Sequence, residues 1–237
     1  MARLVIHLGP VAEFREAAKA REVDPVRAAL LAEIGGADGI ACTLPDEAGP
    51  FSDRDIRIVR EMIRTDFVLF VPALDSLASK AMGYSPNQVV LVPAKKPGAT
   101  PGGGLDALGQ AGPIEKLVRD FRAQEIRVSL LVEPMIPQIK AAARLGADGV
   151  MLHLGRLESL KKAADRDDLL ENLSGVSLAA EKMGLSASVI NGVTYQNIPS
   201  ILSNVRIGEV CAGRTVFGRA LWIGMEAAVR DLAALVH

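Results

Sequence analysis

IGEVCAGRTVFGRAL, residues 207–221, reads as three pieces: a short apolar strand over Ile207–Cys211, a Cys-Ala-Gly-Arg corner, and the start of a helix. Before it, INGVTY (Ile190 to Tyr195) ends another apolar strand in a turn. Counted from the N-terminus, these are the seventh and eighth strands of an alternating strand–helix chain. In a (β/α)₈ barrel the loops after those two strands, with the N-terminus of a short extra helix, form the usual phosphate site.

Working outward, the same pattern fills the chain. Short, β-branched apolar runs fall at Arg3–Leu8, Gly39–Leu44, Phe67–Val71, Val89–Val92, Arg127–Val132, Gly149–His153, Ser186–Ile190 and Ile207–Cys211. Their unbroken apolar character predicts parallel strands covered on both faces. Helical patterns lie between them at Pro25–Ile34, Asp53–Arg64, Asp75–Met82, Pro113–Gln124, Ile136–Leu145, Arg166–Met183 and Gly218–Val236. Ser52 caps one of them, with acids in its first turn, while Gly146 and Gly184 stand at C-terminal caps. The predicted fold is α/β, a (β/α)₈ TIM barrel forming a single domain over residues 1–237; a typical barrel takes about 250 residues. AEIGGADGIACTL and AARLGADGVMLHL enter strands two and six alike. That echo fits either a duplicated half-barrel or a reused loop chemistry.

Composition narrows the function. Apolar residues are 49%, charged residues 23%, aromatics 4% and the net charge −1, which supplies neither the basic face nor the stacking platforms of a nucleic-acid binder. No run of about 18 apolar residues is present, so no membrane span is expected. The opening MARLVIHLGP is too short in its apolar part for a signal peptide and reads as strand one. Two cysteines, Cys42 and Cys211, give no disulfide scaffold, and a reducing cytoplasm is the expected location.

Chemistry in such a barrel sits at the C-terminal ends of the strands. The polar residues there are His7, Thr43, Asp46, Glu47, Lys95, Lys96, Glu133, His153, Arg156, Asn191, Cys211 and Arg214. Gly192 and Gly213 free the backbone for close approach, and Arg214 offers a planar fork to an oxyanion. Turn geometry and a surface ion pair are the plainer readings of the same residues. His7, His153 and Glu133 could shuttle protons. No His-x-His or His-x-x-x-His spacing accompanies them, so no metal is expected. Cys211 reads as a nucleophile or, more simply, a small buried hydrophobe. The Pro- and Gly-rich stretch Pro93 to Gly112 reads as a binding loop or a surface excursion.

The stretches DPVRAALLAEIGGADGI, SDRDIRIVREMI, NQVVLVP, GGGLDALGQ, VSLLVEP, QIKAAARLGAD, NGVTYQN and GRAL run from end to end of the chain. With them the sequence resembles the pyridoxine 5'-phosphate synthase family of vitamin B6 biosynthesis. The resemblance implies a barrel with extra helices and a homo-oligomer, an octamer. It also implies no organic cofactor and condensation of 1-deoxy-D-xylulose 5-phosphate with 3-amino-2-oxopropyl phosphate.

Residue by residue, the resemblance implies a changed site. The family's histidine in VHLR falls on Thr43, its glutamate in LEMA on Phe70, its histidine in GHGLTYHN on Asn191, and its glutamate in EIHTG on Met151. Its NIDHIA opening becomes HLGPVA, with His7, Gly9 and Pro10 at the polar positions, and the arginine that follows is Ala18. Gly192, Gly213 and Thr100 match phosphate or substrate positions, and Arg214 replaces a histidine. Thr43, Phe70 and Asn191 exchange no protons near neutrality, and each lost acid or base typically costs about 10²–10⁴ in rate. Three readings stay open: the condensation retained through His7, Glu133 and His153; a paralogue for another phosphate ester; and a non-catalytic binding or scaffold protein.

Overall fold

The computed structural model describes residues 1–45, 49–94, 103–160 and 162–237. Eight strands follow one another as β1 Arg3–His7, β2 Gly39–Thr43, β3 Asp66–Pro72, β4 Gln88–Val92, β5 Arg127–Val132, β6 Gly149–His153, β7 Ser186–Ile190 and β8 Glu209–Ala212. Each pairs in parallel with the next, and β8 returns to β1, so the sheet closes on itself. The outer ring holds α2 Pro25–Ile34, α3 Asp53–Met62, α4 Asp75–Met82, α5 Ala111–Arg122, α6 Ile136–Arg144, α8 Ala163–Lys182, α9 Ile198–Asn204 and α11 Met225–Val236. Three more helices leave the C-terminal ends of strands directly: α1 Gly9–Ala18 after β1, α7 Gly155–Ser159 after β6, and α10 Arg214–Ile223 after β8. The single barrel with extra helices expected from the sequence is therefore found.

Strand alternation divides the core in two. Leu4, Ile6, Ile40, Phe67, Leu69, Val89, Leu91, Leu130 and Val210 point outward and pack under the helices. Val5, Ala41, Val68, Phe70, Val90, Leu131, Met151, Ile190 and Cys211 fill the barrel interior. Because side chains two apart share a face, the next inward residues, His7, Thr43 and His153, come to the mouth.

The same parity puts polar residues on the floor. Arg3 and Arg127 both bond Asp66 Oδ2, at 2.7 and 2.6 Å. Gln88 donates to Ser129 Oγ at 3.1 Å. The duplicated Ala-Asp-Gly does the same work twice. Asp38 Oδ2 accepts the Leu4 amide at 2.7 Å, and Asp148 Oδ2 accepts the Val128 amide at 2.8 Å, each clamping its strand to the preceding one.

Several boundaries differ from the sequence reading. Strand eight is Glu209–Ala212 rather than Ile207–Cys211, and the helix expected over Gly218–Val236 is two helices broken at Gly224, φ 84°. α1, α7 and α9 were absent from that reading. α1 opens on Gly-Pro with no side-chain cap, and α7 is five residues long. Ser52 does cap α3, in a reciprocal pair with Asp55, and Gly146 and Gly184 take the left-handed conformation expected of C-caps.

Glu209 is the weak point of the floor. It is 8% exposed and its Oε1 has no hydrogen-bond partner among the described residues. Burial pushes its carboxyl above the usual range, against the pull of Arg3 and Arg127. A carboxyl raised on folding favours the protonated form, so its penalty is absent below the unfolded carboxyl's range and grows as pH rises through the folded value. Glu209→Gln is expected to stabilise the protein by about 1 kcal/mol at pH 7. The gain should vanish near pH 4, as read by denaturant unfolding at both pH values; equal gains at both would contradict this.

Candidate active site

The interior positions at the C-terminal end form a mouth with two chemically distinct halves. The layer beneath it, in the middle of the barrel, is apolar: Phe70, Leu131, Met151, Ile190 and Cys211 pack together there with Val92 beside them. Phe70 and Met151, two of the positions where the resemblance implies family carboxylates, therefore exchange no protons. Cys211 is fully buried, and burial with the nearby Glu209 carboxylate holds its thiol well above the ordinary range. It stays protonated, which removes it as a nucleophile.

His7 is fixed by its own strand end. The Gly9 amide donates to His7 Nδ1 at 3.1 Å, so Nδ1 is the acceptor and Nε2 carries the hydrogen. Nε2 lies 3.4 Å from Thr43 Oγ1. The ring stands edge-on to Phe70 with centroids 4.8 Å apart. Gly9 is required for this fold-back, since a Cβ there would come within 2.5 Å of the His7 ring. Burial among uncharged neighbours lowers the His7 pKa to about 4, so at neutral pH the ring is a neutral donor.

His153 repeats the device on β6. Its ring packs over Gly155, where a Cβ would lie 2.6 Å from Cε1. The two stretches share a sequence, His-Leu-Gly, at 7–9 and 153–155. In each, the leucine is buried and its amide bonds the neighbouring strand, Leu8 to the Ala41 carbonyl and Leu154 to the Ile190 carbonyl, both at 2.9 Å. His153 faces a carboxylate, with Nδ1 3.4 Å from Glu133 Oε1. That contact falls short of an aligned hydrogen bond, and Nδ1 is buried with no other partner among the described residues. Glu133 Oε1 in turn accepts the Gly104 amide at 3.0 Å. Gly104 lies so close that any side chain would overlap the backbone of Val132 and Glu133.

The loops after β7 and β8 lie side by side because Ile190 pairs with Cys211. Asn191 and Gly192 both take positive φ, 57° and 66°, and a Cβ on Gly192 would overlap the Leu154 carbonyl. Asn197 holds the loop, accepting from the Thr194 amide and donating to the Gly192 carbonyl, both at 2.7 Å. Gly213 precedes α10, where a Cβ would lie 3.0 Å from the His7 carbonyl oxygen, and Arg214 is the first residue of that helix. The first amides of a helix have no intrahelical acceptor and face outward. Arg219 of α10 stacks 4.7 Å over Tyr195 and pairs with Asp231 of α11, which ties both loops to one rigid unit.

Of the site residues read from the sequence, His7, Thr43 and Phe70 meet on one side of the mouth, and Glu133 and His153 meet on another. Asn191, Gly192, Gly213 and Arg214 occupy the adjoining loops. Thr100, with Asp46, Glu47, Lys95 and Lys96, lies outside the described residues. Gly104, Gly155 and Asn197 escaped the sequence reading, and Gly9 entered it only as a replaced polar position, although the repeated His-Leu-Gly was visible in the sequence. Among the described residues no cluster of three or more His, Cys, Asp or Glu could hold a metal ion.

The neutral state of His7 has a measurable consequence. A histidine whose pKa falls on folding costs stability as pH drops from its unfolded value, about 6.5, toward the folded value. The loss attributable to His7 should reach roughly 3 kcal/mol near pH 4, at 1.36 kcal/mol per unit. In a proton NMR titration the His7 ring signals are expected to stay unshifted down to about pH 5. A midpoint near the ordinary histidine value would contradict the lowering by burial.

Comparison with known proteins agrees with the fold and adds the lineage. Solved structures of similar shape include KGPDC from Streptococcus mutans, at TM-score 0.67 and 12% identity over 100% of this chain and 97% of that one. Thiamine phosphate pyrophosphorylase from Pyrococcus furiosus superposes at TM-score 0.64 and 18% identity over 99% and 95%. Curated relatives are much nearer in sequence. The pyridoxine 5'-phosphate synthase of Thermosynechococcus vestitus is 36% identical over 237 residues, covering 100% of this chain and 99% of that protein. That of Syntrophobacter fumaroxidans is 35% identical with full coverage of both. The family model described as "Pyridoxal phosphate biosynthesis protein PdxJ" matches residues 4–237, and the chain belongs to that family.

Proposed function

We propose that this barrel binds a phosphorylated small molecule through the loops after β7 and β8. Gly192 and Gly213 would give the phosphate access to backbone amides, and Arg214 would supply the charge. The observation that carries this reading is the adjacency of a positive-φ turn and the N-terminus of α10, held together through Tyr195, Arg219 and Asp231. Backbone amides and a helix N-terminus favour an anion there without any further device.

The proposal has a second half. The family's condensation of 1-deoxy-D-xylulose 5-phosphate with 3-amino-2-oxopropyl phosphate is not carried by the positions the resemblance would assign to it. Thr43 and Asn191 do not titrate near neutrality, and Phe70 and Met151 are apolar and buried. A phosphate ester remains the ligand class, with chemistry drawn from other groups or absent. A homo-oligomer is part of the same proposal. The exposed end of α10, Leu221, Trp222 and Ile223, with Trp222 87% exposed, is the surface an assembly would cover. Sedimentation as a monomer at high concentration would count against it.

Calorimetric titration with 1-deoxy-D-xylulose 5-phosphate tests the first half. Saturable binding is expected, weakened about 10- to 100-fold in Arg214→Ala, the range for losing a charged hydrogen bond of about 1.5–3 kcal/mol. Absence of binding would refute it. Mixing both substrates then tests the second half: no pyridoxine 5'-phosphate above the protein-free rate is expected, and its appearance would overturn that half alone.

A further inference from the structure

The geometry points to an activity of the mouth itself: proton abstraction next to the carbonyl of a phosphorylated ketone. His153 would act as the base, and the neutral Nε2–H of His7 would hold the developing oxyanion. This rests on the phosphate-binding reading above.

Three observations carry it. First, His7 has only one nitrogen to offer. Nδ1 is committed to the Gly9 amide at 3.1 Å, so the group presented toward Thr43 and the mouth is a neutral N–H. A neutral imidazole that stabilises an enediolate gives a strong hydrogen bond without releasing its proton. Its neighbours Gly9, Thr43 and Phe70 carry no charge that would protonate it. Second, His153 has the complementary arrangement. Its Nδ1 is turned inward toward Glu133 Oε1 at 3.4 Å, buried and with no other partner among the described residues. That leaves the rest of the ring to carry the side chain's 16% exposure. A carboxylate behind Nδ1 selects the tautomer with the lone pair on Nε2, the form a general base needs. Such contacts are often long before a ligand is bound and shorten around it. Third, both rings are set by glycine-backed turns, one at the end of β1 and one at the end of β6, so a donor and a base stand at the same mouth of the barrel. Gly213 lies against the backbone carbonyl and Cβ of His7, so a ligand anchored by its phosphate at α10 starts beside that residue.

The step balances within the ligand. His153 Nε2 takes the proton of the carbon next to the carbonyl, and the C–H electron pair becomes the new C=C bond. The carbonyl π pair moves onto oxygen, which His7 Nε2–H binds. Glu133 stabilises the imidazolium and is a positioning residue. Return of a proton from His153 restores the ketone, and in D₂O it returns as deuterium.

Deuterium exchange reads this directly, with dihydroxyacetone phosphate and 1-deoxy-D-xylulose 5-phosphate as probes in D₂O, followed by proton NMR, and binding measured separately by calorimetry. Loss of the C–H signals next to the carbonyl is expected well above the protein-free rate. His153→Ala should return it to that rate. His7→Phe should lower it about 10²–10³-fold, the usual effect of removing one oxyanion donor. His7→Gln, which keeps a neutral donor, should recover part of the loss, and a titrating acid at this position would not be rescued that way. Glu133→Gln should slow exchange while leaving probe affinity unchanged. Thermal melting of each variant separates these effects from unfolding. If a probe binds and its signals persist at the protein-free rate, this inference fails while the phosphate reading stands. If neither probe binds, both fail.

Discussion

The closure of β8 onto β1 is the constraint from which the site follows. Arg3 meets Glu209, Val5 meets Cys211 and Ile6 meets Ala212 across that seam. Once eight parallel strands close, every second side chain is committed to the axis, and no strand can slip by one residue without exchanging its faces. The interior has little choice after that. Charged groups fall at the floor, small and apolar ones in the middle, and His7, Thr43 and His153 at the mouth. The floor bears the cost of this commitment at Glu209, a buried carboxyl group with one oxygen unserved among the described residues.

The mouth is built on that closed frame. Glycines do much of the positioning. Gly9 and Gly155 let two histidines fold back on their own strand ends, and Gly104 brings an amide onto Glu133. The rings then differ in what stands behind Nδ1: a backbone donor for His7 and a carboxylate for His153. The first arrangement presents a donor, and the second favours an acceptor on the far nitrogen. Family membership brings the barrel and its lineage, while the groups that line the mouth decide the reaction.

Much of the fold was legible in the sequence, because buried parallel strands are unbroken apolar runs and their helices carry caps. Ser52, Gly146 and Gly184 marked ends that the structure keeps. The extra helices were harder. α1 starts on Leu8-Gly9-Pro10, which reads as a turn, and its helical character comes from packing against α2 and α10. The break at Gly224 was visible as a glycine inside a helical pattern, and a single glycine does not reveal a φ of 84°. Of the site, residue types and faces were legible, including the inward aim of His153 beside Met151. The His7 tautomer, the approach of Glu133 and the brace through Asn197 were not. They depend on contacts between residues far apart in the chain, such as Gly104 with Glu133, or on a ring folding back over its own turn.

The measurement that bears most directly on this account is a crystal structure of the protein soaked with 1-deoxy-D-xylulose 5-phosphate. The phosphate is expected between Gly192 and the first turn of α10, with the ligand's carbonyl oxygen about 2.7–3.2 Å from His7 Nε2. A phosphate bound elsewhere, or a ligand that leaves His7 untouched, would contradict it.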